Sequence, residues 1–355
     1  MKMQLDRREL HRWFLGMGAA TALAAPGRLL ARAAEAGDPL RLVDPELRAA
    51  AQAMLSQHFP PLTRAGLPAL RAGWVAPPPL PAPAPSVEIR TIPGPKGAPS
   101  VPVELIGVRS RPAPCPAILH IHGGGMISGR ARNMTAFCQT IAAEFDCVVV
   151  NVEYRLSPET PFPGPVEDNY AALIWLAANA AALGVDPRRI AVAGGSAGGG
   201  LAAMVSILAR DHGGPSLCQQ ILLYPMLDDR TGSTRKPPAH LAPVGWSADA
   251  NAFGWSAFLN VPAGSATVPA GSVPARAANL AGLPPTFIGV GAIDLFVDED
   301  LDFGRRLIDA GVPTALHVSP GAFHAFDFVV PDAAVSKAFT GAWKAALRTA
   351  FNKEA

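Results

Sequence analysis

IAVAGGSAGGGL, Ile190 to Leu201, reads as a strand that turns directly into a helix. Ile190, Val192 and Ala193 form a short apolar run, the run stops at Gly194-Gly195-Ser196-Ala197-Gly198, and a helical pattern then extends from Leu201 to Arg210. A residue held at so tight a turn adopts a strained backbone and projects its side chain outward, and glycines are needed where a Cβ would collide. Ser196 is the residue so displayed. The start of the following helix aims its dipole and unpaired N–H groups at the same point, which favours negative charge developing beside the hydroxyl. Taken alone, G-x-S-x-G fits a Gly/Ala/Ser-rich loop without chemistry equally well, so its surroundings must decide.

Working outward, Ala117 to Ile121 and Cys147 to Val152 are solidly apolar and flank a helical pattern from Met134 to Phe145. Strand, helix, strand in this order implies parallel strands covered on both faces. Gln220 to Tyr224, Thr286 to Val290 and Ala315 to Val318 continue the series, with helical patterns at Val166 to Leu183, Glu299 to Ala310 and Ala333 to Phe351. Val87 to Ile92 and Val101 to Val108 alternate around the turn-rich Pro93-Gly94-Pro95-Lys96-Gly97 and predict an antiparallel edge. The expected class is α/β, about eight strands in a mostly parallel sheet with helices on both faces.

Two stretches break the alternation. Pro39 to Leu70, with apolar spacing at Leu42, Leu47, Met54 and Leu55, predicts one helix or two, either capping the site or packing outside the core. Residues 37–85 then form an N-terminal cap and proline-rich linker ahead of a catalytic domain spanning 86–355. Asp228 to Leu283 is rich in Pro and Gly, holds a helical stretch near Asp249 to Leu259, and follows a strand end, which suits a lid or pocket segment.

With 355 residues and 49% hydrophobic content, the chain has enough apolar matter for one large core. A net charge of +2 and only 16% charged residues leave no electrostatic footprint for nucleic acid and no basic amphipathic face for lipid. The expected partner is a small, largely neutral molecule. A homodimer is compatible with the sequence, which does not fix the oligomeric state. Arg7-Arg8 precede the apolar run Trp13 to Ala25, and Ala31-Arg32-Ala33 or Ala34-Glu35-Ala36 offers a cleavage site, so residues 1–36 resemble a twin-arginine export signal. That reading predicts a periplasmic or secreted protein; an amphipathic helix with an incidental Arg pair would leave it cytoplasmic. The run is shorter than the ~20 residues a spanning helix needs, so no stable membrane insertion is expected after processing. Cys115, Cys138, Cys147 and Cys218 show no ligand spacing, so no metal is expected, and mostly buried thiols are.

His122-Gly123-Gly124-Gly125 directly follows the strand ending at Ile121. Consecutive glycines after a strand let bare N–H groups face a ligand, and two of these with the N–H of Ala197 make an oxyanion hole. A serine hydroxyl needs a base, and the base needs a group that orients it. Asp294 ends the strand Thr286 to Val290 within Gly291-Ala292-Ile293-Asp294, and His324 follows the strand Ala315 to Val318. The order Ser196, Asp294, His324 is that of an α/β-hydrolase. Asp298 is the alternative acid; His317 lies inside a strand, and His120 reads as structural.

HGGG at 122–125, Tyr154-Arg155-Leu156-Ser157-Pro158-Glu159 with Pro161-Phe162-Pro163 and Glu167-Asp168, GGSAGG at 194–199, Asp294 and His324 together resemble the hormone-sensitive-lipase-like carboxylesterases. The resemblance covers about Val87 to the C-terminus. It implies an α/β-hydrolase fold with an N-terminal cap, no cofactor, and hydrolysis of esters with short or medium acyl chains. By the same resemblance Gly123, Gly124 and Ala197 are the oxyanion donors, and Asp168 fixes loops behind the site. Two residues depart from the pattern. Gly195 replaces the acidic residue or Thr usual before the nucleophile, and Met126 stands where an aromatic is common, which is expected to change the pocket wall. A lactonase, amidase, acyltransferase or exported glycan deacetylase would use the same triad, and a non-catalytic small-molecule receptor would use the same fold.

Overall fold

Aliphatic runs without interrupting charge build the centre of the molecule. The computed structural model describes residues 38–57 and 61–352, so the export-signal reading of residues 1–36 lies outside it. Ahead of the sheet come α1 (Arg48–Leu55) and α2 (Leu67–Ala72). Then follow β1 (Val87–Ile92), β2 (Val101–Ile106), β3 (Cys115–Ile121), α3 (Thr135–Phe145), β4 (Val148–Val152), α4 (Gly164–Ala178), α5 (Ala180–Leu183), β5 (Val185–Gly195) and α6 (Ala197–Asp211). The chain continues through β6 (Gln219–Leu223), α7 (Ala248–Leu259), β7 (Thr286–Gly291), α8 (Val297–Asp309), β8 (Thr314–Ser319), α9 (Phe326–Val329) and α10 (Ala334–Asn352).

The eight strands lie in the order β1-β2-β4-β3-β5-β6-β7-β8. β1 and β2 are antiparallel, as their alternation predicts, and every pair from β4 to β8 is parallel. Residues alternate between two apolar layers. Ile118, Val149, Ala191 and Ile221 face Cys138 and Ile141 of α3 and Phe339, Trp343 and Leu347 of α10. Leu119, Val150, Val192 and Leu222 face Leu173 and Leu176 of α4 and Leu201 and Val205 of α6. This is the two-sided cover that solid apolar strands require.

The order of the strands locates the site. From β3 the chain moves outward to β4, then crosses back to lay β5 on the other side of β3. The segments leaving β3 and β5 therefore part in opposite directions at the centre of the sheet, the crevice where open α/β sheets bind ligands. Ile121 is in register with Gly194, so the HGGG loop and the serine turn leave the sheet side by side.

The helical pattern expected from Val166 to Leu183 is two helices instead of one. Asn179 interrupts it at φ −103°, ψ 10°, where its Nδ2 donates to the Trp175 carbonyl at 2.8 Å and competes with the helix ladder. Cys115, Cys138 and Cys147 are buried, and no disulfide forms among the described cysteines. Among the described residues no helix is long and apolar enough to cross a membrane.

Candidate active site

Ser196 has φ 57° and ψ −126°, a conformation that costs a non-glycine residue roughly 1–3 kcal/mol. It is held by three backbone bonds: its N–H donates to Leu223 O at 2.9 Å, and its carbonyl accepts from Met226 and Gly200. The flanking glycines are dictated by contact. A Cβ on Gly194 would overlap the Gly198 carbonyl, and one on Gly198 would overlap the Ile121 carbonyl of the neighbouring strand.

The structure brings Ser196, His324 and Asp294 together from three strand ends. His324 Nε2 lies 3.0 Å from Ser196 Oγ, and Nδ1 lies 2.8 Å from Asp294 Oδ2. Asp294 is fully buried, and its other oxygen accepts the Phe296 N–H at 3.0 Å. An acceptor carboxylate at Nδ1 favours the tautomer whose Nε2 lone pair faces the serine hydroxyl and is able to accept a proton. The alternative acid Asp298 is exposed on the first turn of α8, and His317 is half-buried on the edge strand β8 beside Phe339. His120 is buried and donates from Nδ1 to Asn151 Oδ1 at 2.8 Å; burial lowers its pKa to about 4.

Gly123 packs against the serine turn, with space for a Cβ only 3.4 Å from Ser196 Cβ. Among the described residues no hydrogen bond takes up the N–H of Gly123 or Gly124, and Ala197 is the first residue of α6, where N–H groups have no intrahelical partner. These are the three donors that the sequence nominates. The loop is held from beneath: His122 stacks on Tyr154 at 4.2 Å and 15°, and the Tyr154 hydroxyl donates to His122 O at 2.9 Å. Asp168, fully buried, accepts two bonds from the Arg155 guanidinium and one from its N–H, anchoring the segment behind the site. Met126, expected in the pocket wall, is instead fully buried with its φ at 63° and its Cε toward Gly200.

The sequence does not single out Tyr224 or Asp327. A Cβ on Gly195 would meet the Tyr224 ring at 3.3 Å, so Tyr224 occupies the ground that a larger residue before the nucleophile would take. Its hydroxyl donates to Asp327 Oδ1 at 3.1 Å. Burial raises the Asp327 pKa to about 6. Nearby, Glu299 accepts the N–H groups of Leu227 at 2.7 Å and Asp228 at 3.2 Å, tying α8 to the segment after β6; burial pushes its carboxyl well up.

A cavity of about 560 Å³ opens at Ser196. Met54 and Leu70 of the N-terminal segment line it, together with Trp74 and, from the 228–283 insertion, Trp246. Trp246 donates from Nε1 to Asn251 at 3.1 Å, and Asp229 grips Arg276 with two bonds of 2.7 Å, which fastens the insertion. Arg71 ties α2 to the core by donating to Ile127 O at 2.8 Å, Ser157 O at 2.9 Å and the Glu159 carboxylate. Among the described residues no cluster of three His, Cys, Asp or Glu side chains is arranged to hold a metal ion.

Comparison with known proteins agrees with this fold. The family profile described as alpha/beta hydrolase fold matches residues 118–328. The chain is 36% identical over 278 residues to the carboxylesterase NlhH of Mycobacterium tuberculosis, covering 75% of this chain and 83% of that one. It is 39% identical over 218 residues to the esterase LipI of the same organism, covering 60% of this chain and 66% of that one. Among solved structures, a bacterial heroin esterase superposes with a TM-score of 0.79 at 37% identity, over 88% of this chain and 99% of that one. The strand order, the glycine loop beside the serine turn and these similarities have one reading: the chain belongs to the hormone-sensitive-lipase-like α/β-hydrolase family of carboxylic ester hydrolases.

Proposed function

We propose that the protein hydrolyses carboxylic esters with short to medium acyl chains through an acyl-enzyme on Ser196. The observation that carries this reading is the unbroken relay from Ser196 Oγ to His324 Nε2 at 3.0 Å and from Nδ1 to Asp294 Oδ2 at 2.8 Å. Ser196 Oγ bonds to the ester carbonyl carbon as His324 takes its proton. The carbonyl oxygen becomes an oxyanion facing the N–H groups of Gly123, Gly124 and Ala197. Its collapse breaks the bond to the alcohol, which leaves with the proton from His324. Water then repeats the sequence on the acyl-enzyme, freeing the acid and restoring the serine. Asp294 keeps the imidazole in one tautomer and stabilises its cationic form throughout.

The test is a chain-length series of p-nitrophenyl esters with the wild-type protein and Ser196→Ala. A burst of nitrophenol equal to the enzyme concentration, lost in the variant, together with inactivation by an organophosphate, supports the reading. A folded wild-type protein that resists the organophosphate and turns over no ester overturns it. Acetate release from acetylated glycans in a parallel panel would favour the deacetylase reading, for which the proposed export through Arg7-Arg8 supplies the setting.

A further inference from the structure

The cavity does not end at the nucleophile. Beyond Gly195 and Tyr224 it continues between the sheet and helices α3 and α10, where Ile118, Val149, Ile141 and Leu347 line it. Burial alone assigns these four residues to solid core. The cause lies in β5. On this face the strand presents Ala191, Ala193 and then Gly195, since side chains on one face recur every second residue. Ala193 is in register with His120 on one side and Ile221 on the other. Two large side chains with a methyl between them leave a trough running down from the serine turn. Ala193 sits on a central strand covered on both faces, yet it is only partly buried, because it faces the chamber.

The rest of the lining is largely apolar, and Trp343, buried on α10, is part of it. Phe137, half-buried, stands between it and His120, with ring centroids 6.2 Å and 5.8 Å away. Packed interiors leave few voids larger than a water, and apolar ones stay dry. A chamber of this lining, continuous with a nucleophile, suits an apolar ligand chain.

We propose that the acid part of the ester lies in this chamber and that Ala193 sets how far it reaches, so that esters of medium-chain apolar acids are the preferred substrates. The inference rests on the serine-esterase reading above. The chamber is assigned to the acid and not the alcohol by the order of events. The alcohol must leave before water enters, and both must pass between Ser196 and solvent. The acyl group stays bonded to Ser196 through that exchange, so a recess walled by the buried Ile118, Ile141, Val149 and Leu347 suits it.

The experiment measures kcat/KM for two matched series, p-nitrophenyl esters of lengthening acids and acetates of lengthening alcohols. Wild type, Ala193→Leu and Leu347→Ala are compared. Each methylene buried is worth about fourfold. For Ala193→Leu the ratio of octanoate to acetate turnover is expected to fall at least tenfold in the acid series. For Leu347→Ala, which enlarges the chamber, the optimum is expected to move to longer acids; this variant decides the matter if Ala193→Leu does not fold. The proposal is overturned if both acid profiles match wild type, or if the shift appears in the alcohol series. Absence of any turnover by folded wild type would instead refute the esterase reading itself.

Discussion

Tyr224 stands edge-on to His324, ring centroids 4.9 Å apart, in the space that a side chain before the nucleophile would fill. Its own hydroxyl turns the other way, to Asp327. The base is thus walled by an aromatic ring on one side and by Phe296, edge-on at 5.2 Å, on the other. These rings exclude water from the imidazole and leave Nε2 facing the serine.

Asp327 gives a pH signature. Its pKa rises from 3.8 to about 6 on folding because burial disfavours the charged form. The unfolded carboxyl therefore loses its proton first, and folding is penalised progressively as pH rises from 3.8 to about 6 and fully above that. Asp327→Asn keeps an acceptor for Tyr224 and removes the penalty. Urea melts should show the variant more stable than wild type by about 3 kcal/mol at pH 7, with the difference vanishing below pH ~4.

His120 acts with the opposite sign. Its pKa falls from 6.5 to about 4 on folding. The unfolded imidazole takes up a proton first as pH drops, so stability is full above 6.5 and is lost as pH falls toward about 4. In His120→Gln this acid-side loss, about 3 kcal/mol, should disappear from the same melts.

The acid of the triad is tested by comparing two neighbours. Asp294→Asn should lower kcat by about 10⁴-fold, because the imidazole is left in the wrong tautomer. Asp298→Asn, exposed on α8, should leave kcat within about twofold. Equal losses in both would contradict the assignment.

Gly123→Ala places a Cβ 2.9 Å from Gly195 O and 3.4 Å from Ser196 Cβ, which forces the loop off the serine turn. Losing alignment of one oxyanion donor should cost about 10²–10³ in kcat with little change in KM. Steady-state kinetics on a short-chain ester would read it.

Arg155→Met leaves the fully buried Asp168 carboxylate without its guanidinium. Removing one partner of a buried pair typically costs about 3–5 kcal/mol. The loss should appear as a lower urea midpoint, and restoring it with a second change, Asp168→Leu, should recover part of it.

Much of this architecture is legible in the sequence, for identifiable reasons. The apolar runs from Ala117 to Val318 are strands because they are short, uncharged and punctuated by turns, and the parallel order follows from the helices between them. Ser196, Asp294 and His324 each end or follow such a strand, so their chain order carries information about their side of the sheet. What the sequence hides is contact across distance. Nothing near Tyr224 says that it fills the place of a residue at 195. Met126 follows HGGG, but its positive φ turns it into the core and away from the pocket wall. Asn179 resembles any helical residue until its amide takes the Trp175 carbonyl. Ala193 reads as ordinary core until its neighbours in register are known to be His120 and Ile221.

The anchoring of the N-terminal segment has a mechanical meaning. At its start the Asp44 N–H donates to Gly321 O at 2.9 Å, on the loop that carries His324. At its end Arg71 holds Ile127 O, on the loop that carries the oxyanion glycines. The two ties join the segment to both poles of the proposed reaction, the one where a proton would be received and the one where negative charge would appear. One part of the chain, which supplies none of the proposed catalytic atoms, is thereby bonded to the loops on either side of Ser196.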